Sequence, residues 1–173
     1  DKIKLTSTDQ IYEKLNLIKE KIVISIFLQV AWDALGLSHK IEDLNFYEIL
    51  DFIIKNSFKH QNIQIVVRAH PGETNIPDFM KSSKPIIDTL LENNLDIPNN
   101  IYLIPAESEI SSHSLCLMSD EVIFYSSTLG LEVLNNRKKV TCLGTQSYYS
   151  GKGFTNDLKS KQDILNFFNN LEK

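Results

Sequence analysis

KIVISIFLQV, residues 21–30, is a nearly unbroken run of apolar and largely β-branched residues with no polar side to offer to water. Such a strand must be covered on both faces, which is the situation of a strand inside a parallel sheet. The flanking segments carry the other period. Residues 45–59 place Phe46, Ile49, Leu50, Ile53 and Ile54 at i, i+3, i+4, i+7 and i+8, which predicts an amphipathic helix. Upstream, residues 8–20 predict a first helix capped by Thr8 or Asp9, with Ile11, Leu15 and Ile18 on one face. Downstream, the pattern predicts strand 63–67, a loop at the HPGE of residues 70–73, helix 77 to about 92, strand 101–104 and a short helix at 111–118. Strand 121–124, helix 128–135, strand 139–143, a glycine-containing loop and a closing helix at 161–171 follow. Five short strands separated by helices predict an α/β fold: a Rossmann-like parallel sheet of about five strands with helices on both faces.

Composition sets the outer limits. With 173 residues, 42% apolar and 23% charged, the chain has the profile of one globular domain and excludes a disordered or fibrous protein. A domain of this length buries roughly 70% of the surface of its unfolded chain, so a core forms without disulfides or metals. Cys116 and Cys142 lie inside the apolar runs SLCLM and VTCLG and read as small, reduced core residues. Eighteen Lys and Arg against 22 Asp and Glu give a net charge of −4, and no basic run is present, which argues against a nucleic-acid partner. The longest apolar stretch, residues 22–28, is interrupted by Ser25 and falls far short of the roughly 20 residues of a membrane-spanning helix. The opening DKIKLTSTDQ has no apolar signal region and no Met, so the expectation is one domain over residues 1–173 that is a piece of a longer, two-domain protein.

In parallel α/β sheets, ligands sit beyond the carboxyl ends of the strands, so polar residues just after strands carry the information. Three clusters stand there: Arg68 to Glu73, Tyr125 to Glu132, and residues 144–155. Neither GxGxxG after the first strand nor GxxxxGK[ST] occurs, which argues against dinucleotide oxidoreductases and P-loop NTPases. Ser126, Ser127 and Thr128 close a strand and open a helix. Their hydroxyls and the first-turn N–H groups would suit a phosphate, or one of the three would simply cap the helix. His70, restrained by Pro71, either donates to an oxyanion or serves as a structural hydrogen bonder. Glu132, one turn beyond Thr128, either accepts from ribose hydroxyls or complements the helix dipole. Glu107 and Glu109 have no third ligand at metal spacing, so no metal is expected. His39, His60 and His113 lie in polar segments and are expected to be solvated.

As a set, QVAWDALG (29–36), VVRAHPGE (66–73), IPAESEISSHSL (104–115) and YSSTLGLEVLNNRKKVTCLGTQSYYSGKGFT (125–155) resemble the capsule polysaccharide biosynthesis family. That family includes Kdo transferases of capsule export systems. The His-Pro and Ser-Ser pairs also look like the two motifs of bacterial sialyltransferases and polysialyltransferases. The resemblance implies the C-terminal, donor-binding half of a metal-independent GT-B glycosyltransferase without a cofactor. Its donor would be a CMP-sugar such as CMP-Kdo or CMP-sialic acid. It further implies a donor site of His70, Pro71, Gly72, Glu109, Ser126, Ser127, Thr128 and Glu132. His70 and the serine pair would hold phosphate, Glu132 the ribose, and the loop 105–111, which contains Glu109, would face the pyrimidine. Trp32, Asp33 and the loop 148–155 would border the sugar and a partner domain. Lys152 stands between two glycines where the family carries a bulky residue. The acceptor, a polysaccharide or glycolipid, and the base that activates it would belong to an N-terminal domain, in the cytoplasm or at the inner face of the membrane. A CDP-glycerol-type glycerophosphotransferase and a non-catalytic nucleotide-binding module are the rival readings.

Overall fold

The computed structural model describes residues 4–30, 40–74, 84–94, 96–136, 138–144 and 147–173. Trp32, Asp33, His39 and the expected start of a helix at Pro77 lie outside them. Strands β1 (Ile22–Phe27), β2 (Ile63–Arg68), β3 (Ile101–Ile104), β4 (Glu121–Phe124), β5 (Val140–Leu143) and β6 (Asn156–Leu158) form one sheet in the order β3-β2-β1-β4-β5-β6. Every pairing is parallel, with Ile24 of β1 opposite Ile65 on one side and Glu121 on the other. The apolar run of residues 21–30 thus supplies β1, at the centre of the sheet.

Alternation along the strands splits the core in two. Ile24, Ile26, Ile65, Val67 and Ile123 point toward α2 (Phe46–Ser57), α3 (Ile86–Asn93) and α6 (Lys161–Leu171). Val23, Phe27, Val66, Val122 and Phe124 point toward α1 (Thr8–Leu15), α4 (Ser112–Met118) and α5 (Thr128–Asn135). On that second face the rings of Phe27 and Phe124 stack across β1 and β4 with centroids 5.1 Å apart. Cys116 and Cys142 are free thiols buried in the same cluster, as expected. Burial pushes the Cys116 thiol up to about 12, so it is no nucleophile near neutral pH.

Several local expectations are corrected. The first helix stops at Leu15 rather than at residue 20, because Asn16 turns left-handed at φ 53° and ends it. Its N-cap is Ser7, without a side-chain bond, not Thr8 or Asp9. Ile18 is consequently 46% exposed, and its backbone N–H and carbonyl are taken up by the buried Gln64 side chain at 2.8 and 2.9 Å. Of the helix expected at 77–92, the described residues show Ile86–Asn93, preceded by Pro85 in an extended conformation. The HPGE loop contains a 3-10 turn, Pro71–Thr74. The sheet has six strands rather than five, since β6 lies in what reads as a glycine-containing loop. His60 is buried, not solvated: its Nδ1 lies 2.8 Å from a Glu172 carboxylate oxygen and its ring stacks on Phe168.

Candidate functional site

The strand order fixes where a ligand can enter. From β1 the sheet grows outward through β2 and β3 on one side and through β4, β5 and β6 on the other. The crossovers therefore diverge at the carboxyl ends of β1 and β4 and leave a crevice between them. A cavity of about 300 Å³ occupies it. Its walls are Phe27 and Leu28 at the end of β1, Arg68, Ala69, His70 and Pro71 at the end of β2, and Ser127, Thr128, Leu129 and Glu132 on the first turns of α5. Lys4 and the Ser111, Ser112 and His113 that open α4 complete it.

His70, Pro71, Ser127, Thr128 and Glu132 thus meet at one cavity, although the chain separates them by more than fifty residues. Gly72, Glu109 and Ser126 are not on its wall. Ser126 is buried, 8% exposed, immediately behind Ser127. Glu109 lines a neighbouring cavity and pairs with Lys14 at 3.3 Å.

At the start of α5 the capping reading of the hydroxyl cluster is observed directly. Ser127 is the N-cap and its Oγ accepts from Leu129 N–H at 3.3 Å, while its carbonyl accepts from Gly130 N–H at 3.0 Å. The Ser127 hydroxyl proton and the Thr128 backbone N–H make no hydrogen bond among the described residues. They share the positive end of an eight-residue helix. Glu132 lies further along the same helix, exposed, with no ion pair on its carboxylate among the described residues. The first turn of α5 carries no acidic residue, so a dipole-complementing role is not what places Glu132 there.

His70 is oriented by its own turn. Gly72 N–H donates to His70 Nδ1 at 2.9 Å, so in the neutral ring the proton resides on Nε2 and that nitrogen is a donor. Gly72 acts through this bond and through its missing side chain: a Cβ there would lie 2.8 Å from Nδ1. Gly72→Ala is expected to displace the ring and to weaken binding of a phosphate-bearing ligand about three- to tenfold, the scale of one net hydrogen bond. Calorimetric titration checks it; unchanged affinity would mean that the ring's orientation does not matter.

Sequence reasoning gave no role at the site to Lys4, Arg68, Ser112 or His113, although Arg68 stands in the strand-end cluster 68–73. Arg68 ends the buried strand β2, is only 2% exposed, and donates to the carbonyls of Pro105 and Ser108. Burial lowers its pKa while the charge of Glu107 opposes the shift; the guanidinium remains protonated and fastens the 105–108 loop beside the cavity. Lys4 arrives because Leu5 forms a parallel bridge to Ile110, a pairing that no local pattern signals. Ser111, with its N-cap bond to Ser114 N–H, and Ser112 read locally as an ordinary helix start. His113 is exposed, as expected, but exposed onto the cavity.

Lys4, Arg68, Pro71 and Ser112 also form the wall of a second cavity of about 610 Å³, lined further by Thr74 and residues 106–110. The loop 105–111 thus faces a space of its own, adjoining the first. Among the described residues no group of three or more His, Cys, Asp or Glu could hold a metal ion. None of the described helices is long and apolar enough to cross a membrane.

The family model for capsule polysaccharide biosynthesis proteins matches residues 2–168. No curated protein sequence matches the chain. Among solved structures, the β-Kdo 2,7 transferase part of Thermosulfurimonas dismutans KpsC superposes with a TM-score of 0.54 at 23% identity, covering 91% of this chain and 49% of that one. The β-Kdo 2,4 transferase of the same protein gives 0.54 at 19% identity, covering 87% and 44%. A putative UDP-N-acetylglucosamine 2-epimerase from Listeria monocytogenes gives 0.60 at 14% identity, covering 94% and 38%. The chain therefore spans less than half of each of these structures, and what it shares with them is the fold.

Proposed function

Since this chain belongs to the capsule polysaccharide biosynthesis family, we propose that it is the donor-binding domain of a GT-B glycosyltransferase that uses a CMP-activated sugar. One observation carries the proposal: groups suited to a phosphate and to a ribose, from separate segments, line a single cavity at the switch in strand order. His70 Nε2–H, the Ser127 hydroxyl and Thr128 N–H would hold the phosphate, and Glu132 would accept from the ribose. The second cavity would take the base, with Pro71, Ala106 and Ile110 as its apolar surfaces. Its carboxylates, Glu107 and Glu109, favour cytosine, which presents an exocyclic amine donor where uracil presents a carbonyl.

The chemistry follows from charge. As the bond between the anomeric carbon and the phosphate oxygen breaks, its electron pair stays on the phosphate, and the positive end of α5, the hydroxyl and the imidazole stabilise that charge as it forms. The acceptor hydroxyl attacks the anomeric carbon and gives up its proton to a base. We place that base on a second domain, together with the polysaccharide or glycolipid acceptor.

Donor hydrolysis by the full-length protein against CMP-sugars, CDP-alcohols and UDP-sugars tests the proposal. Turnover of a CMP-sugar supports it. Turnover of a CDP-alcohol alone would make the protein a glycerophosphotransferase, and binding without any turnover a nucleotide-binding module. Glu132→Gln is expected to weaken CMP binding about tenfold, the value of a hydrogen bond to a charged group, with little change in the unfolding midpoint. Equal affinity in calorimetry would remove Glu132 from the site.

A further inference from the structure

The Ser127 backbone is held by a residue that lies far from it in sequence. Tyr149 Oη donates to the Ser127 carbonyl at 3.0 Å and accepts from the Ser127 N–H at 3.3 Å, so one hydroxyl engages both polar backbone atoms of the helix cap. The ring is 2% exposed. It fills the space that Gly130 leaves open on α5, where an added Cβ would lie 2.4 Å from Oη.

Tyr149 is itself presented by a closed turn. Ser150 N–H donates to Ser147 Oγ at 3.0 Å, and Ser150 Oγ donates back to the Ser147 carbonyl at 3.1 Å. Beyond the turn, Asp157 of β6 fastens the glycine-containing loop by accepting from Gly151 N–H and from the Thr155 hydroxyl, each at 2.6 Å. A buried tyrosine needs one partner for its hydroxyl; this one has two on the same residue, and that residue lines the cavity.

We propose that Tyr149 is a positioning residue of the phosphate cradle: its hydroxyl sets the Ser127 backbone so that the Ser127 Oγ and the Thr128 N–H face the cavity together. The inference rests on the donor-binding proposal and deepens it. Burial raises the Tyr149 pKa, which keeps the hydroxyl protonated and able to donate. Without it, the α5 start retains its helical bonds but loses the clamp that fixes its angle to the crevice.

The test is calorimetric titration of the full-length protein with CMP and with cytidine, which shares the base and ribose but lacks the phosphate. Tyr149→Phe is expected to bind CMP about five- to tenfold more weakly and cytidine within about twofold of wild type, as the misplacing of one phosphate donor predicts. Ile164→Val, a cavity-forming change in the core of the opposite sheet face, should lower the melting temperature and leave both affinities alone. If Tyr149→Phe does not fold, Ser147→Ala, which loosens the turn without touching the ring, should show the same CMP-selective loss on a smaller scale. Unchanged CMP affinity, or equal loss for CMP and cytidine, overturns the positioning role. Failure of the wild-type protein to bind CMP would instead overturn the donor-binding proposal and the inference with it.

Discussion

Gly130→Ala is expected to lower the stability of the protein by about 2–4 kcal/mol and to weaken CMP binding by at least about five- to tenfold. Two effects oppose each other. Alanine in a helix interior is favoured over glycine by about 1 kcal/mol, so an exposed glycine on α5 would gain from the change. Gly130, however, is buried, and its added Cβ would meet Tyr149 Oη at 2.4 Å, Cζ at 2.6 Å and Cε1 at 3.1 Å. The ring is enclosed and cannot swing into solvent. Overpacking of a core costs about 1–3 kcal/mol, and the displaced hydroxyl gives up both of its bonds to Ser127, worth about 1 kcal/mol each. The unfavourable effects win. For a chain of this size the loss corresponds to a melting temperature lower by about 4–16 °C. Thermal unfolding read by circular dichroism checks it, and an unchanged or raised midpoint would show that α5 and Tyr149 move apart at little cost.

The second large effect concerns the cradle itself. His70→Ala and Ser127→Ala are each expected to weaken CMP binding about 10- to 100-fold while barely changing the affinity for cytidine, because each removes a donor to a charged oxygen. Ser127→Ala also removes a helix cap and should cost about 1 kcal/mol of folding stability, whereas His70→Ala, at an exposed position, should not. If both groups hold one phosphate, the loss of either leaves the other with an incompletely stabilised anion. The double variant should then depart from additivity by about 0.5 kcal/mol or more. Additive losses, or equal losses for CMP and cytidine, would reduce His70 and Ser127 to local structural roles.

Much of the fold could be read from the chain because its central strands are buried on both faces and therefore mostly apolar, whereas its helices alternate. β6 escaped because its three residues, Asn156, Asp157 and Leu158, carry no apolar pattern and become a strand only by pairing with β5. The early end of α1 turns on the single backbone angle of Asn16, and the segment beyond it is held by Gln64 from a distant strand. His60 looks solvated among Lys59, Gln61 and Asn62, yet its partners are Phe168 of the last helix and Glu172, that helix's C-cap. The same division holds at the site. His70, Ser127 and Glu132 were legible because strand ends and helix starts fix where such residues must lie. Lys4 was not, and although Arg68 and Tyr149 stand in the strand-end clusters 68–73 and 144–155, what they do was not legible either, since each acts through bonds to segments remote in sequence.

The position of β1 at the centre of the sheet has a kinetic consequence. One edge of β1 is covered by β2, but the other waits for β4, and Val23 N–H finds its acceptor on Asp120, 97 residues later. Closing so long a loop is entropically slow, and parallel pairing offers no hairpin to shorten it. During synthesis, β1, β2 and β3 can assemble while β4 is still on the ribosome. Until it emerges, the most apolar strand of the protein presents a bare edge, the feature that invites pairing with another chain. A nascent chain halted before Glu121 therefore carries an aggregation hazard that the finished domain has removed, and its yield in a cell should depend on how quickly residues 121–124 follow.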